Sequence, residues 1–399
     1  MTAIGLGPAQ QRAVLGGTVS GLDDAEVADA YARAIWSTLV EPGDGVAGAL
    51  IAAFGAGRAL EVALGEGETA HVAAVAGVEP AALAAGRARW SPRRTDGSFA
   101  LENARRAGAR LLTPADAAWP VRVDDLGVHA PICLWVRGEA GQLGAAAAAV
   151  ALVGSRASSA YGEHVATELA CESATSGITV VSGAAYGIDG AAHRGALVNA
   201  GSTIAVLAGG VDRPYPTGHL DLIDRIARTG VVVAEVPCGQ TPTKWRFLAR
   251  NRLIAALSDA TVVVEAGWRS GALSTAHHAA ELGRPLGAVP GAVTSATSAG
   301  CHRLLRELDA ICVTGPADVR ELLGIGGGWR AEALFDGRAY TDERTRIIDA
   351  LSVRASRSTT DVARRSGFSV ADAAALLGLL ELEGSVTRRA EGWRLEAGG

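Results

Sequence analysis

The sequence predicts an α/β protein, namely a doubly wound parallel sheet with a helical domain before it and a winged helix after it. Three observations predict this class. Between residues 147 and 314, short apolar runs recur about every 25 to 30 residues and alternate with amphipathic segments, which is typical of a βαβ order. Residues 1–110 show helical apolar spacing, and residues 341–399 contain three short helical segments followed by two short extended ones.

Length and composition exclude several classes of protein. The chain has 399 residues, of which 49% are hydrophobic and 20% charged, so we expect two or three folded domains rather than disorder. Its longest apolar stretch, residues 143–154, is too short to span a bilayer, and the first five residues lack the basic and then apolar pattern of a secretory signal. We therefore expect a cytoplasmic protein with no membrane partner.

The cysteines and the net charge narrow the chemistry further. The five cysteines are odd in number and never spaced C-x-x-C, which predicts neither a disulfide framework nor a zinc site. A net charge of -5 argues against a polyanion binder that is basic all over its surface, so any nucleic-acid site must be local. Lys244 is the only lysine among 37 basic residues.

The first two predicted domains are residues 1–110 and 111–323. In the first, stretches such as Ala25–Val40 and Gly97–Ala107 predict a helical domain of the SAM or helix-hairpin-helix type. In the second, each apolar run is continuous, as expected for strands buried on both faces. The predicted strands are Ala147–Val153, Thr179–Val181, Thr203–Leu207, Val231–Val236, Thr261–Val264, Leu286–Val289 and Ala310–Val313. The predicted helices are Gly162–Ser173, Ala191–Asn199, Trp245–Leu257 and Ala272–Leu282.

A flexible linker, residues 324–340, is predicted from the composition Gly324-Ile325-Gly326-Gly327-Gly328. The third domain, residues 341–399, follows. Ser358 and Ser369 each precede a helical segment as an N-cap residue should, and Gly367 ends the first of these segments. Two short extended pieces after Gly384 complete the pattern of three helices and a β-wing, which describes a winged helix.

The first candidate site follows the first strand of the sheet, at Val153-Gly154-Ser155-Arg156. A dinucleotide fingerprint requires G-x-G-x-x-G at this turn, and Arg156 occupies the second glycine position. The turn therefore predicts a phosphate site built on a side-chain cation, helped by free helix N–H groups between Ser159 and Gly162. The alternative is an ordinary β–α turn with a solvated arginine.

The second candidate site follows the next strand, where Ser182-Gly183 allows a ligand to approach the backbone closely. Asp189 precedes a helix and is predicted to be its N-cap. His193 lies one turn later on the same face, so the two side chains suit either acid–base chemistry or a structural hydrogen bond, and we favour the hydrogen bond. No recognisable motif pairs them with a serine or cysteine nucleophile.

The third candidate site is the most informative segment of the chain. Residues 236–258 contain no acid, whereas Lys244, Arg246, Arg250 and Arg252 are interleaved with Trp245, Phe247 and Asn251. Cations that follow phosphates and aromatic faces that stack on bases are what a single-stranded nucleic-acid channel requires. The alternative is a solvated helix face.

The fourth candidate site follows the strand Thr261–Val264. Hydroxyl groups and a glycine in Arg269-Ser270-Gly271 to Ser274-Thr275 open a helix at the carboxyl edge of the sheet, where free amides form an anion site. His277 and His278 point to different sides of that helix and lack an H-E-x-x-H frame, so we expect no metal site.

Taken together, these motifs resemble the DNA-processing protein A (DprA/Smf) family. The resemblance rests on four motifs in order: Gly154-Ser155-Arg156, Ser182-Gly183-Ala184 to Asp189, Arg250-Asn251-Arg252, and Ser270-Gly271 to Thr275-Ala276. The lead-in from Arg110 to Trp119-Pro120 and the winged helix agree with it, so it covers residues 100–396. Two positions depart from the family pattern, since Leu248 replaces a usual proline and His219 a common asparagine.

The resemblance implies a Rossmann-like domain that binds single-stranded DNA during transformation or recombination, protects it and helps to load the recombinase RecA, usually as a dimer. It also implies that Arg156 binds phosphate and that Lys244, Arg250 and Arg252 line the DNA pocket. The complete set of expected DNA-binding residues is Gly154, Ser155, Arg156, Tyr161, Gly162, Ser182, Gly183, Lys244, Arg246, Arg250, Asn251, Arg252, Ser270, Gly271, Ser274 and Thr275.

An enzyme remains the alternative. Related Rossmann-like proteins of the lysine-decarboxylase-like (LOG) group hydrolyse nucleoside monophosphates with a P-G-G-x-G-T-x-x-E motif. Aligning Thr275 with the threonine of that motif places His278 where the catalytic glutamate should be. We therefore expect a DNA-binding protein without catalytic residues, metal or cofactor. For the winged helix we expect protein contacts rather than DNA reading, because residues 370–383 carry three acids and no lysine or arginine.

Overall fold

Seven parallel strands form most of a nine-stranded sheet in a computed structural model, which describes residues 6–65, 69–95, 97–198, 201–325 and 342–396. The strands are β1 (Arg110–Leu112), β2 (Leu134–Gly138), β3 (Ala149–Gly154), β4 (Thr179–Ser182), β5 (Thr203–Leu207), β6 (Val231–Ala234), β7 (Ala260–Glu265), β8 (Leu286–Ala288) and β9 (Ile311–Cys312). Their order in the sheet is β1-β2-β6-β5-β4-β3-β7-β8-β9. The last seven strands in this order, β6-β5-β4-β3-β7-β8-β9, run parallel to one another. The predicted doubly wound parallel sheet is confirmed.

Two strands were not predicted. β1 and β2 pair antiparallel to each other, and β2 pairs antiparallel to β6, so they extend one side of the sheet. β1 has three residues, which is too few for a hydrophobic period to be recognised.

The chain reverses direction across the sheet between β3 and β7. From β3 it runs outward through β4, β5 and β6, and then returns to place β7 on the other side of β3. The loops that follow β3 and β7 therefore leave the sheet in opposite directions. In such folds a crevice opens outside the carboxyl ends of these two strands, and ligands bind there.

The region before the sheet is helical. Its helices are α1 (Pro8–Leu15), α2 (Asp24–Leu39), α3 (Gly45–Phe54), α4 (Ala56–Leu64), α5 (Thr69–Ala76), α6 (Pro80–Trp90) and α7 (Ser98–Arg106). Asp23 caps α2 by accepting hydrogen bonds from the amides of Ala25 and Glu26. The core of this region continues into the sheet through Trp135 of β2 and Val232 of β6, and Met1–Gly328 forms one compact unit.

Helices cover both faces of the sheet. The remaining helices of this unit are α8 (Gly141–Ala145), α9 (Ala160–Thr175), α10 (Ile188–Val198), α11 (Leu220–Thr229), α12 (Lys244–Ala256), α13 (Ala272–Glu281), α14 (Ala299–Glu307) and α15 (Pro316–Leu322). α9, α10 and α15 pack with Val150 and Leu152 of β3, whereas α12, α13 and α14 pack with Ala151 and Val153. Alternate residues of β3 thus face two apolar layers, which explains its unbroken apolar sequence.

The second compact unit, Trp329–Gly399, contains the predicted winged helix, which is confirmed. Its elements are α16 (Glu343–Asp349), α17 (Thr359–Ser366), α18 (Val370–Leu382), β10 (Val386–Arg389) and β11 (Gly392–Leu395). The side chains of Ser358 and Ser369 cap α17 and α18, and Gly367 ends α17 in the left-handed conformation. Of the expected linker, Gly324 and Ile325 belong to the described residues, and 326–340 lie outside them.

None of the described helices combines the length and the apolar character that crossing a bilayer requires.

Candidate nucleic-acid interface

A cleft of about 510 Å³ lies at the carboxyl edge of the sheet, where the chain reverses between β3 and β7. The loops after these two strands form two of its walls, and one face of α12 forms a third. Half of the sixteen expected DNA-binding residues line it: Gly154, Ser155, Arg156, Arg250, Asn251, Ser270, Gly271 and Thr275. Residues of all four motifs, which lie far apart in sequence, therefore line one cavity, and the second motif contributes Asp189.

Arg250 is the central cation of the cleft. It projects from α12, is 6% exposed, and donates a hydrogen bond from Nη1 to the carbonyl oxygen of Val206. Its Nε has no hydrogen-bond partner among the described residues. Burial lowers the pKa of Arg250 to about 10, although the nearby Asp189 acts in the opposite direction. The guanidinium therefore lies desolvated beside the cavity with a donor to spare.

Gly183 serves this arginine rather than a ligand. A Cβ atom at Gly183 would lie 2.1 Å from Nη1 of Arg250, so only glycine lets the guanidinium pass over the end of β4. Ser182 is fully buried and donates its hydroxyl to the carbonyl oxygen of Leu152 at 2.6 Å. The sequence correctly indicates a close approach to the backbone at this turn, but the group that approaches is a side chain of the same protein.

Asp189 lines the cleft, and His193 follows it one turn later on α10. Asp189 is inside the first turn of α10 rather than at its N-cap, and its carboxylate accepts a hydrogen bond from the amide of Ala185 at 3.4 Å. Burial raises the pKa of Asp189, and Arg250 opposes that shift. His193 is fully buried, its Nδ1 lies 2.8 Å from the hydroxyl of Thr203, and burial lowers its pKa to about 3. His193 therefore makes a structural hydrogen bond, but with Thr203 rather than with Asp189, the partner that we expected.

Two of the four amides expected to be free at the start of α9 have partners. The amide of Ser159 donates to the carboxylate of Glu265 at 2.8 Å, and the amide of Gly162 donates to the hydroxyl of Ser159 at 3.1 Å. Tyr161 donates its hydroxyl to the carbonyl oxygen of Pro290 at 2.8 Å. Because the capping carboxylate comes from β7, this end of α9 already has its negative charge, and Tyr161 and Gly162 lie outside the cleft.

An aromatic and a cation form the wall of the cleft next to α12. The guanidinium carbon of Arg156 lies 4.6 Å from the ring centroid of Phe247, a cation–π contact. Tyr215, which is 46% exposed, packs edge-on against Phe247 with the centroids 5.6 Å apart. This wall therefore presents aromatic rings with a cation held on one of them.

Two predicted cations of α12 that do not line the cleft are paired with acids. The guanidinium of Arg246 donates to both carboxylate oxygens of Glu41, at 2.8 and 3.0 Å. Arg252 donates to Glu235 at 2.5 and 2.7 Å, and both side chains are nearly buried. The absence of acids from residues 236–258 thus does not leave four free cations. Lys244, the first residue of α12, is exposed and has no ion pair within the described part of the chain.

The start of α13 forms the opposite wall. Asn251 donates from Nδ2 to the carbonyl oxygen of Gly271 at 3.2 Å, which ties α12 to this loop. The hydroxyl of Ser270 accepts from the amide of Ala272 at 3.4 Å, and Thr275 is buried. Ser274 lies elsewhere, in a second cavity of about 580 Å³ that it shares with Arg252.

Arg269 and Phe247 line the cleft but are absent from the sixteen expected DNA-binding residues, although the third and fourth candidate motifs contain them. The signal therefore existed, but which residue of a motif faces a cavity depends on the loop conformation. Arg269 is exposed and adds a third cation to Arg156 and Arg250.

Within the described residues, no three His, Cys, Asp or Glu side chains are grouped closely enough to hold a metal ion. The adjacent histidines of α13 have other contacts. His277 Nδ1 lies 2.6 Å from the carbonyl oxygen of Leu273, and His278 Nδ1 lies 3.0 Å from the carboxylate of Glu281.

Comparison with known proteins places this geometry among related chains. The family model described as DNA recombination-mediator protein A matches residues 110–324, and the model described as DprA winged helix domain matches residues 333–392. A DNA processing protein DprA of Mycobacterium tuberculosis is 46% identical over 309 residues, which cover 74% of this chain and 79% of that protein. Protein Smf of Escherichia coli is 43% identical over 186 residues, or 46% of this chain and 49% of Smf. The X-ray structure of DprA from Streptococcus pneumoniae is 31% identical, with a TM-score of 0.57, and the match covers 72% of this chain and 95% of that one.

Proposed function

The chain belongs to the DNA recombination-mediator protein A family, and from this premise we propose that it binds single-stranded DNA in the cleft between β3 and β7. The bound strand is protected there and is handed to the recombinase RecA during transformation or recombination. The site acts by binding and performs no chemistry on the DNA.

One observation carries this proposal: three arginines and an aromatic wall converge on a single cavity. Arg156, Arg250 and Arg269 supply positive charge for phosphates, and Phe247 supplies a ring face for a base. A cavity of about 510 Å³ has the size of a small-ligand site, which suits unpaired nucleotides and is too narrow for a duplex. These features favour single strands and contacts that do not depend on sequence.

The arrangement gives little support to nucleotide hydrolysis. The position of the catalytic glutamate in the alternative LOG-type enzyme is taken by His278, which lines the second cavity and lies beside Glu281. Asp189, the carboxylic acid that lines the cleft, has a raised pKa and contacts backbone amides. Incubation of the purified protein with nucleoside monophosphates should release no free base, and release above a blank would favour the enzyme.

Assembly as a homodimer, the loading of RecA and a cytoplasmic location follow from the family resemblance and from the sequence, and we keep them as predictions. Sedimentation equilibrium of the purified protein tests the dimer. For RecA, we expect this protein to speed the formation of RecA filaments on single strands already covered by a single-stranded DNA-binding protein. An unchanged filament rate would contradict the loading role.

The central experiment compares single and double strands of one sequence by fluorescence polarisation over a range of salt concentrations. We expect tighter binding of the single strand. Arg156→Ala and Lys244→Ala should each weaken it and should each reduce the slope of log affinity against log salt by about 0.7, the value for one phosphate contact on a single strand.

The matched control is Arg228→Ala. Arg228 is an exposed arginine at the end of α11 that leads into β6, so it lies toward the amino edge of the sheet, away from the cleft. Its loss changes the net charge as much as Arg156→Ala does. Lys244 does not itself line the cleft, so Arg156→Ala is the direct test of this cavity. If Arg156→Ala keeps wild-type affinity and slope, or if all three variants lose affinity equally, the cleft is not the DNA site.

A further inference from the structure

Trp268 is an exposed tryptophan beside the cleft that none of the four motifs includes. It lies in the loop between β7 and α13 and is 61% exposed. Its two neighbours in sequence, Gly267 and Arg269, both line the cleft. Trp268 itself does not line the cavity, but the residues on both sides of it belong to the wall formed by the loop after β7.

One face of this indole is held by a cation. The guanidinium carbon of Arg303, on α14, lies 5.4 Å from the ring centroid. Arg303 is itself oriented by Glu307, whose carboxylate accepts from Nε at 2.6 Å. The ring is thus supported from α14, and most of its remaining surface is open to solvent. An aromatic face that is open to solvent on one side can stack on a planar ligand.

Two arginine–aromatic contacts occur at the cleft and in the loop beside it. Arg156 lies 4.6 Å from the ring of Phe247, and both line the cleft, whereas Arg303 lies 5.4 Å from the ring of Trp268, whose two neighbours in sequence line it. Arg250 and Arg269 belong to the same cavity lining. A single strand that lies across the cleft would have its phosphates near the central cations and a base at each ring.

The geometry points to Trp268 as a second base-stacking platform, so that the bound strand passes from Phe247 across the cleft to Trp268. This inference rests on the proposed function and extends it, since it assigns the α14 side of the cleft to bases and gives the site a wider footprint. The ligand is an unpaired nucleobase, recognised through its π face and without preference for sequence.

The test separates bases from phosphates. Wild type and Trp268→Ala are titrated with a 20-nucleotide thymidine strand and with an abasic strand of equal length, which has the same phosphates but no bases. We expect Trp268→Ala to weaken thymidine binding about fivefold to tenfold, as the loss of one stacked base does, and to leave abasic binding within twofold. Trp268→Phe should keep most of the affinity, because it keeps an aromatic face.

Salt dependence provides a second readout that a merely structural role would not produce. Trp268→Ala should leave the salt slope unchanged, because stacking releases no counterions, whereas Arg269→Ala should reduce it by about 0.7. Phe99→Ala is the matched control, since Phe99 is 62% exposed and lies on α7 rather than at the cleft. Thermal unfolding checks that each variant is folded.

Three results would overturn the inference. Unchanged thymidine binding by Trp268→Ala would remove the platform, and an equal loss on thymidine and abasic strands would show that the residue acts through structure or charge. If Arg156→Ala and Lys244→Ala weaken binding but Trp268→Ala does not, the stacking role of Trp268 is rejected and the proposed DNA-binding function stands. If wild type binds no single strand, the proposed function fails and the platform with it.

Discussion

α12 holds its arginines in two different ways. Arg250, which lines the cleft, is 6% exposed, forms no salt bridge within the described residues and has a pKa lowered by burial. Arg252 is also 6% exposed and also keeps buried nitrogens without partners, but it is paired with Glu235, and Arg246 is paired with Glu41. One helix thus carries both a cation that is left available beside a cavity and cations that are consumed by the fold.

Arg250 is therefore the arginine of α12 placed to bind a ligand, whereas Arg246 and Arg252 stabilise the fold. A buried charge without a complete set of partners costs stability, and proteins retain such groups where a ligand supplies the missing partner. Around Arg250 the cost is visible in the neighbours, because burial also raises the pKa of Asp189 and lowers that of His193. The pKa of Glu41, the partner of Arg246, shifts the other way from that of Asp189. Burial would raise the pKa of Glu41, but Arg246 and Arg93 lower it overall.

The largest expected effect is the loss of stability on removal of Arg252, which is paired with Glu235. Arg252→Met should lower the free energy of unfolding by about 3 to 5 kcal/mol, because it leaves the nearly buried carboxylate of Glu235 without its cation. Urea unfolding at neutral pH measures this loss. The double variant Arg252→Met with Glu235→Leu should recover a large part of it. A loss below about 1 kcal/mol in the single variant would show that the pair is not structural.

The buried His193 should make the free energy of unfolding depend on pH. His193 has a pKa of about 3 in the folded protein and about 6.5 when unfolded, so below pH 6.5 only the unfolded chain takes up its proton. The free energy of unfolding should therefore fall as the pH is lowered from about 6.5 towards 3. Between pH 7.5 and 5.5 wild type should lose about 1 kcal/mol more than His193→Asn.

The comparison of these two proteins removes the contribution of the other charged groups around His193. Asp189, Arg194, His219 and Arg250 are present in both, so the difference reports mainly on the side chain at position 193. Unfolding free energies that fall in parallel with pH would show that His193 accepts a proton in the folded state.

A smaller effect is expected at Arg246. Arg246→Ala removes a pair in which Glu41 remains partly exposed and bonded to Arg93, so the stability loss should be about 0.5 to 1 kcal/mol. Its effect on the salt slope of DNA binding should be much smaller than that of Lys244→Ala, which lies two residues earlier without an ion pair in the described residues. Equal slopes for the two variants would show that the ion pair with Glu41 does not keep Arg246 from contacting DNA.

The smallest effect is expected from removing the winged helix. Arg364 and Arg365 of α17 both pair with Asp361, at 2.5 and 2.9 Å, and α18 carries Asp372 and Glu381 without any lysine or arginine. A chain that ends at Leu323 should therefore keep its affinity for single strands within about twofold by fluorescence polarisation. Loss of most of the affinity, with fold and oligomeric state preserved, would show that this domain binds DNA.

Local sequence determined most of the fold. All seven predicted strands of the parallel sheet are present, and six of them are buried and mostly apolar, as strands covered on both faces should be. β9, whose two residues are exposed, is the exception. The helix boundaries of the winged helix were readable at Ser358, Gly367 and Ser369, because capping depends on a few adjacent residues. The position of Arg156 and Ser270 at one edge followed as well, because parallel strands end on the same side of a sheet.

The tertiary structure alone decided which charges and amides remain available. Arg246 meets Glu41 from 205 residues away, and the amide of Ser159 meets Glu265 from 106 residues away. The same holds for Trp268, which becomes a candidate only when α14 places Arg303 on its ring. Electrostatic and ring contacts act over a few ångströms in space, so their partners depend on how distant segments pack, and no pattern within one segment records them.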